Sequence, residues 1–260
     1  MSEAPVLVEL ERHDDGVAVI RLNNPKVNAI SSEVLRQLHS VVKTLEADLP
    51  RAVVVTGSDR FFAAGADITE FTGPEAAQAM GPLFLEGLNA LAALNRPTIA
   101  SISGFALGGG LELALSCDLR IASSKAKVGL PEILLGIIPG GGGTQRLARL
   151  IGPSRAKDLI FSGRQVGAEE ALSIGLVERV VEPEELWDKT LEWARELGAG
   201  ASAAMGFAKR AIDAGLETTL AEGLKLEQEQ FVDVFRTNDA KVGVASFLEN
   251  GPGKATFSGS

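Results

Sequence analysis

Two glycine runs, each followed by a helical pattern and each accompanied by a glutamate, are the parts of this sequence that could do chemistry. The first run is Gly104-Phe-Ala-Leu-Gly-Gly-Gly110, and the second is Gly140-Gly-Gly-Gly143. A glycine run before a helix exposes backbone N–H groups at the positive end of the helix dipole, which suits a phosphate or an oxyanion. The alternative for each run is tight backbone packing or turns. Neither run matches G-x-G-x-x-G or the phosphate-loop pattern G-x-x-x-x-G-K-[ST].

The glutamates beside these runs are candidate proton carriers. Glu112 lies two residues after Gly110, with no basic residue within seven positions on either side. A carboxyl group among apolar residues has a raised pKa, which fits it to carry protons near neutrality. The alternative is a structural glutamate that backbone donors or a distant arginine satisfy. Glu132 follows Pro131 and could equally start a helix, and spacing alone does not show whether the two carboxyl groups meet.

The elements that must position these residues alternate between strand and helix. Short apolar runs predict strands, and 3.6-residue apolar stripes predict helices. We predict strands at Val6–Leu10, Val17–Leu22, Ala52–Thr56, Thr98–Ser103 and Asp118–Ala122, and helices from Ser31 or Ser32, at Glu75–Leu94, at Gly108–Ser116 and at Thr144–Leu150. This alternation implies an α/β fold with a parallel sheet and right-handed crossovers.

After about Gly198 the pattern becomes purely helical. We predict helices at Ser202–Leu216, Thr219–Arg236 and Ala240–Asn250, and one apolar stripe collects Leu220, Leu224, Phe231 and Phe235. The chain therefore divides into an α/β core at 1–198 and a helical region at 199–260. Because that region has too little core to stand alone, we expect it to pack on the core, on a neighbouring subunit, or on both.

Composition and charge exclude several classes of protein. With 25 basic and 34 acidic residues the net charge is −9, which would repel nucleic acid and anionic membranes. A single cysteine, Cys117, excludes an intrachain disulfide and a cysteine-built zinc site. The apolar segment 99–117 carries the charge of Glu112 and is rich in glycine and serine, so we interpret it as buried core. The start at Met1–Pro5 lacks the pattern of a secretory signal, and we expect a cytoplasmic protein.

Several long motifs in order resemble the crotonase superfamily, and most closely the enoyl-CoA hydratases. The resemblance covers about residues 6–258 and lies in Asn24-Pro-Lys-Val-Asn-Ala-Ile30, Phe62-Ala-Ala-Gly-Ala-Asp-Ile68, the stretch 96–113, the stretch 129–146, Leu220–Glu227 and Phe247–Phe257. It implies a crotonase-like ββα spiral core with a C-terminal helical oligomerisation region. It also implies a homotrimer or a homohexamer built as a dimer of trimers.

The resemblance assigns roles to five residues. Ala66 and Gly109 match the positions whose backbone N–H groups bind the thioester oxygen. Glu112 and Glu132 match the two catalytic glutamates, with Glu112 mainly the base toward water and Glu132 mainly the acid for C2. Gly140 matches a backbone donor near the catalytic water. No cofactor is implied, because coenzyme A is part of the substrate and the polarised thioester serves as the electron sink.

An acidic protein that binds CoA needs a local basic patch. The resemblance assigns CoA binding to Lys26, Arg60, Ala64, Asp67, Ile68 and Lys254. The alternative for the three cations is an ordinary surface position, and Asp67 could serve structure instead. The sequence departs from some hydratases at Thr69, where they carry lysine, and at Leu130, where they carry glutamine. These departures concern contacts with CoA and beside the second glutamate, and they leave the reaction class unchanged.

Three other functions compete with hydration. An enoyl-CoA isomerase can work with one carboxylate at the Glu132 position, and the presence of both glutamates favours hydration. A serine peptidase would need a histidine, but His13 and His39 lie outside every motif. An RNA-binding role is disfavoured by the net negative charge and by the lack of aromatic–basic clusters.

Overall fold

The structure is a computed structural model that describes residues 5–260. It contains two sheets. The larger has the order β1 (Val8–Arg12), β2 (Val17–Leu22), β3 (Ala52–Thr56), β5 (Thr98–Ile102), β7 (Leu119–Ser123), β10 (Arg179–Val181), and the smaller has the order β4 (Phe61–Ala63), β6 (Phe105–Leu107), β8 (Lys127–Gly129), β9 (Val166–Gly167). The pairs β1–β2 and β8–β9 are antiparallel, and every other strand pair is parallel.

Helices lie in most connections between strands, and the last three form the C-terminal region. They are α1 (Ser32–Ala47), α2 (Pro74–Ala93), α3 (Gly109–Ala114), α4 (Gly143–Ile151), α5 (Pro153–Ser162), α6 (Ala168–Ser173), α7 (Leu186–Ala199), α8 (Ser202–Leu216), α9 (Leu220–Val234) and α10 (Asn238–Asn250). Short 3-10 turns occupy Ile68–Glu70, Pro131–Leu135 and Pro183–Glu185.

The core follows a ββα spiral. In each of three turns the chain adds one strand to the large sheet, one strand to the small sheet and then a helix: β3-β4-α2, β5-β6-α3 and β7-β8-α4. This arrangement confirms the predicted α/β fold and its crotonase-like spiral. Because β4, β6 and β8 are parallel neighbours, the loops after them leave the small sheet at the same edge.

The alternation of side chains along β3 explains why it is apolar throughout. Val53 and Val55 belong to the main core, which packs against α1 and α2, while Ala52 and Val54 face the second cluster beneath α7. Successive strand residues point to opposite faces, so a strand covered on both faces shows an unbroken apolar run. The predicted apolar stripe of α1 is buried, and Ser31 caps the helix by accepting a hydrogen bond from the Val34 N–H.

The predicted elements agree with the structure except at the first strand, while the small sheet, β10, α5, α6 and α7 were not predicted. The first strand lies at Val8–Arg12 rather than at Val6–Leu10, because its register is set by pairing with β2. The short strands of the small sheet carry too few residues to show a pattern in the sequence.

The apolar segment 99–117 forms β5, β6 and α3, and within residues 5–260 no helix is long and apolar enough to span a bilayer. The expectation about a secretory signal rests mainly on residues 1–4, outside the described residues.

The C-terminal helices attach to the core at one end and leave an apolar face exposed. Lys209 on α8 forms an ion pair with Asp118 at 2.9 Å, next to the start of β7. In contrast, α9 has no buried residue, and its stripe of Leu220, Leu224, Phe231 and Phe235 is exposed. The stripe is an unpartnered face within the described chain, while the division at 198/199 stays a prediction.

The close approach of α3 to β4 gives a prediction about stability. A Cβ atom on Gly110 would overlap the carbonyl oxygen of Ala63 and lie 2.8 Å from the Ala63 Cβ. We expect Gly110→Ala to destabilise the protein by about 1–3 kcal/mol through overpacking, measured by urea unfolding. The matched control is Gly215→Ala on α8, where a Cβ would meet its nearest neighbour at an ordinary 3.7 Å. Equal stability of the two variants would contradict this close packing.

Candidate active site

Three loops at one edge of the small sheet carry the predicted site residues. Ala66 follows β4, Gly109 follows β6 and Glu132 follows β8. The carboxyl ends of parallel strands in an α/β sheet are where ligands usually bind. The fold therefore brings together residues that are far apart in the sequence.

The backbone N–H groups of Ala66 and Gly109 are both available to a ligand. Ile30 pairs with this segment, since its N–H donates to the Gly65 oxygen at 2.8 Å and its carbonyl accepts from the Asp67 N–H at 3.0 Å. In extended backbone the intervening N–H points the other way, so that of Ala66 faces away from Ile30. Gly109 begins α3, and the first N–H groups of a helix have no intrahelical acceptor. A Cβ on Gly109 would lie 3.2 Å from the Ala66 nitrogen, so two free donors lie side by side.

Glu112 is buried on α3, with 2% of its surface exposed, and one of its oxygens is held by the second glycine run. The N–H groups of Gly141 and Gly143 each donate to Oε1 at 2.8 Å. The anion that this run binds is thus the carboxylate of Glu112, rather than a phosphate. Gly140 is not one of the two donors to Glu112, and its role near the water stays a prediction. The other carboxyl oxygen of Glu112, Oε2, accepts no hydrogen bond from residues 5–260.

Burial and hydrogen bonding act on Glu112 in opposite directions. Burial raises the pKa of the Glu112 carboxyl, whereas the two N–H donors and the nearby positive charge of Arg146 lower it, and the net direction is upward. Both sequence-based interpretations of Glu112 therefore hold in part. Backbone donors and an arginine from α4 stabilise the group, and it still titrates closer to neutrality than an exposed glutamate.

Glu132 faces the same space without a partner. Its Oε2 is buried and accepts no hydrogen bond from residues 5–260. Burial and the charge of Glu112 raise the pKa of Glu132 to about 7. Both glutamates also contact Gly108, since the Glu112 N–H donates to its carbonyl oxygen at 3.0 Å and Glu132 lies against its Cα, so the fold brings together residues whose sequence spacing could not show it. A Cβ on Gly108 would lie 3.0 Å from Glu132 Oε1, so this glycine keeps the space beside the carboxyl open.

The aromatic ring of Phe84 joins the two halves of the site. It lies on α2, where a Cβ on Gly109 would approach its Cε1 at 3.2 Å and a Cβ on Gly141 would approach its Cδ1 at 2.8 Å. The ring therefore packs against the backbone that carries one free N–H and against the loop that holds Glu112. Through this ring, α2 contacts both parts of the site.

The residues predicted to bind CoA fall into two groups. The loop of Lys26 lies against the segment after β4, because the Ala64 N–H donates to the Val27 oxygen at 3.1 Å. Arg60 lies just before β4 with its guanidinium 5.3 Å from the centre of the Phe61 ring. Both cations are exposed and lie on segments next to Ala66. Lys254 instead lines a small cavity of about 210 Å³ between α10 and the C-terminal segment, apart from the glutamates.

Asp67 has the structural role that was the alternative for it, while its contact with CoA stays a prediction. Its Oδ1 accepts hydrogen bonds from the N–H and the hydroxyl of Thr69, so it caps the 3-10 turn that includes Ile68. Ile68 itself is half exposed. Leu130, the other departure from some hydratases, is buried and packs against the glycine loop, where a Cβ on Gly143 would meet its Cδ1 at 2.9 Å.

The alternatives that require histidine chemistry receive no support from the geometry. The Ser116 hydroxyl donates to the backbone oxygen of Glu112, and the Ser103 hydroxyl donates to that of Ser58. His39 lies 3.5 Å from Glu86 on the α1–α2 surface. Within the described part of the chain, no cluster of three or more His, Cys, Asp or Glu side chains could hold a metal ion.

Comparisons with known proteins agree with this geometry. A family model described as enoyl-CoA hydratase/isomerase matches residues 12–259. A probable enoyl-CoA hydratase of Rhizobium meliloti is 44% identical over 95% of this chain and 96% of its own, and a short-chain-enoyl-CoA hydratase of Clostridium acetobutylicum is 43% identical over 90% and 91%. The crystal structure of an enoyl-CoA hydratase from Bacillus anthracis superimposes with a TM-score of 0.91 at 36% identity, over 98% of this chain and 100% of that one.

The raised pKa of Glu132 predicts a pH-dependent cost to stability. Between its ordinary value of 4.5 and about 7, the folded state keeps a proton that the unfolded chain releases, so folding stability falls as the pH rises through this window. Glu132→Gln removes this loss. Relative to wild type, we expect the free energy of unfolding of the variant to rise by about 1–2 kcal/mol between pH 5 and pH 8. This is less than the full value of the pKa shift, because solvent screens a partly buried group.

Thermal unfolding at both pH values measures this difference. Glu229→Gln, a change of an exposed glutamate on α9, is the control and should show the same effect at pH 5 and pH 8. A Glu132→Gln variant whose advantage does not grow with pH would show that this carboxyl is not buried as described.

Proposed function

Because the chain belongs to the enoyl-CoA hydratase/isomerase family, we propose that Glu112 and Glu132 are the carboxyl groups that add water to its substrate. The enzyme is a hydro-lyase that adds water across the 2,3 double bond of a 2-enoyl-CoA to give a 3-hydroxyacyl-CoA, in acyl-CoA degradation. One geometric observation supports the assignment of residues: within residues 5–260, Glu112 and Glu132 both contact Gly108, beside the N–H groups of Ala66 and Gly109.

The free N–H groups of Ala66 and Gly109 are suited to the thioester oxygen. As water adds at C3, electron density moves through the conjugated system and this oxygen becomes enolate-like. Donors that are already in place stabilise the developing charge, and one such donor is worth about 3–4 kcal/mol in the transition state. Glycine at position 109 and alanine at position 66 let the thioester approach the backbone closely.

The unequal surroundings of the two glutamates support a division of labour. Glu112 has one oxygen fixed by two N–H groups and a cation nearby, so it can be ionised while its second oxygen accepts a proton from water. Glu132 has an unpartnered oxygen and a pKa of about 7, so it is protonated in much of the population at neutral pH and can donate to C2. Two carboxyl groups whose environments differ are the usual basis for assigning base and acid.

The protons balance over one turnover. The water oxygen bonds to C3, its proton passes to Glu112 Oε2, and the Glu132 proton passes to C2 as the enolate collapses back to the thioester. The product has gained a hydroxyl group at C3 and a hydrogen at C2, which together equal one water molecule. Glu112 is then protonated and Glu132 ionised. Exchange with solvent restores the starting states, and the chain needs no further cofactor for these steps.

The basic patch for CoA is proposed at the loops beside Ala66. Lys26 and Arg60 lie exposed on segments adjoining β4 and can meet phosphates, while Ala64 and Ile68 lie two residues to either side of Ala66. Asp67 caps the 3-10 turn that includes Ile68. Lys254 lies elsewhere on the chain, and its contact with CoA remains part of the proposal, as does a cytoplasmic location.

Removal of either carboxyl group tests these roles. We expect Glu112→Gln and Glu132→Gln each to lower kcat for crotonyl-CoA by about 100-fold to 10,000-fold, the range for lost general acid–base catalysis. The loss of absorbance of the conjugated thioester measures hydration, and calorimetric titration with the product measures binding, which should persist. Wild-type rates in either folded variant would refute the assignment, and Glu229→Gln serves again as the control.

We also propose that the exposed stripe of α9 joins copies of this chain into a trimer or a pair of trimers. Large apolar side chains form this face. Two of them, Leu220 and Phe231, are more than half exposed in the single chain. A contiguous apolar face of this kind marks a protein–protein contact. Within residues 5–260 no part of the chain covers this face, since α9 has no buried residue.

Light scattering measures the assembly directly. We expect a mass three or six times that of the 27.2 kDa chain for wild type. The double variant Leu220→Glu/Phe231→Glu should lower this mass by charging the apolar face, while Lys225→Glu on the same helix should leave it unchanged. A wild-type protein with the mass of one chain would contradict the proposal.

A further inference from the structure

The guanidinium of Arg146 reaches from α4 back to the loop that holds Glu112. Its Nη1 donates to the carbonyl oxygen of Gly141 at 3.2 Å, and its Nη2 donates to Asn89 Oδ1 on α2 at 2.6 Å. Among residues 5–260 it forms no ion pair, although it is only partly exposed. A rigid fork that binds two neutral oxygens in fixed directions is suited to holding pieces of backbone in place.

The carbonyl held by Arg146 lies between the two N–H groups that bind Glu112. The loop reaches its shape through Gly142, whose φ is +104° and whose carbonyl accepts a hydrogen bond from the Arg146 N–H at 2.8 Å. A Cβ on Gly142 would strike Arg146 Nη1, so the side chain lies directly on the loop. The Gly141 carbonyl belongs to the peptide between the two that carry the donors, so fixing it restrains the orientation of both neighbouring peptides.

The second bond of Arg146 connects this loop to α2. Asn89 follows Phe84 by five residues on that helix, and the Phe84 ring packs against Gly109 and against Gly141. Helix α2 thus touches the free N–H at Gly109 and the loop that holds Glu112. The hydrogen bond between Arg146 and Asn89 is a polar connection between α4 and α2.

We propose that Arg146 is a positioning residue for hydration, which orients Glu112 through Gly141 and fixes the glycine loop to α2 through Asn89. It touches no reacting atom. The inference rests on the proposed role of Glu112 as the base toward water, and it adds a residue outside the predicted site.

The charge of Arg146 gives this role a pH signature. The charged groups that act on the Glu112 carboxyl are Arg146 from α4 and Glu132 from the 3-10 turn, while α2 presents the uncharged Phe84. A positive charge favours the ionised form of Glu112. Removing it raises the pKa of Glu112, so the base becomes active only at a higher pH, and the acidic limb of the kcat profile moves upward.

Steady-state kinetics with crotonyl-CoA from about pH 5 to pH 10 test the inference. We expect Arg146→Met to lower kcat by roughly 10-fold to 100-fold, the cost of a misplaced catalytic group, with KM changed by less than about three-fold. Its acidic limb should move to higher pH. Arg146→Lys keeps the charge, so it should keep the wild-type limb and recover part of kcat. Arg149→Met, one exposed arginine further along α4, is the matched control and should behave as wild type.

Asn89→Ala tests the connection to α2 separately and covers the case in which Arg146→Met does not fold. We expect a smaller fall in kcat, and no further fall when Asn89→Ala is added to Arg146→Lys or Arg146→Met, since Asn89 acts through the arginine. Unchanged kcat in folded Arg146 variants, or a loss of kcat with an unmoved acidic limb in Arg146→Met, would overturn the inference. Additive losses of kcat in the double variants would overturn the role proposed for Asn89. Absence of hydration by wild type would instead overturn the proposed function itself.

Discussion

The site depends on one interaction, the pair of hydrogen bonds from Gly141 and Gly143 to a single oxygen of Glu112. A buried carboxylate is costly unless donors replace its water, and the start of α4 supplies both donors and a favourable dipole. Because both bonds go to Oε1, the other oxygen is left for chemistry. The same contact fixes α3 to α4, so the stability of two helices and the direction of a proton acceptor are set together.

The spiral explains how distant parts of the chain meet at this carboxylate. Each turn adds a parallel strand to the small sheet and then leaves it at the same edge, which collects Ala66, Gly109 and Glu132. Two glycines contribute because they have no side chain. Gly108 leaves room beside the Glu132 carboxyl, and Gly110 lets α3 approach β4 closely. The chemistry is thus carried mainly by backbone N–H groups, with two carboxyl side chains moving protons between water and substrate.

The sequence predicted five of the six strands of the large sheet and the long helices α1, α2, α8, α9 and α10, because these leave patterns that span many residues, and it singled out the two glutamates by their surroundings. It gave no prediction for β10 or α7. It could not predict the small sheet, whose strands of two or three residues exist only through pairing with their neighbours. It also suggested a phosphate or an oxyanion at the second glycine run, where the structure places the carboxylate of Glu112. Arg146 and Asn89 were missed because their bonds depend on the meeting of α2 and α4, although the arginine stands only three residues after Gly143.

A crystal structure of the enzyme with 3-hydroxybutyryl-CoA bound would test the central claim most directly. The account predicts the C3 hydroxyl within hydrogen-bond distance of Glu112 Oε2, Glu132 next to C2, and the thioester oxygen between the N–H groups of Ala66 and Gly109. A ligand whose C3 hydroxyl meets neither carboxyl group, or whose thioester oxygen lies away from both N–H groups, would contradict it.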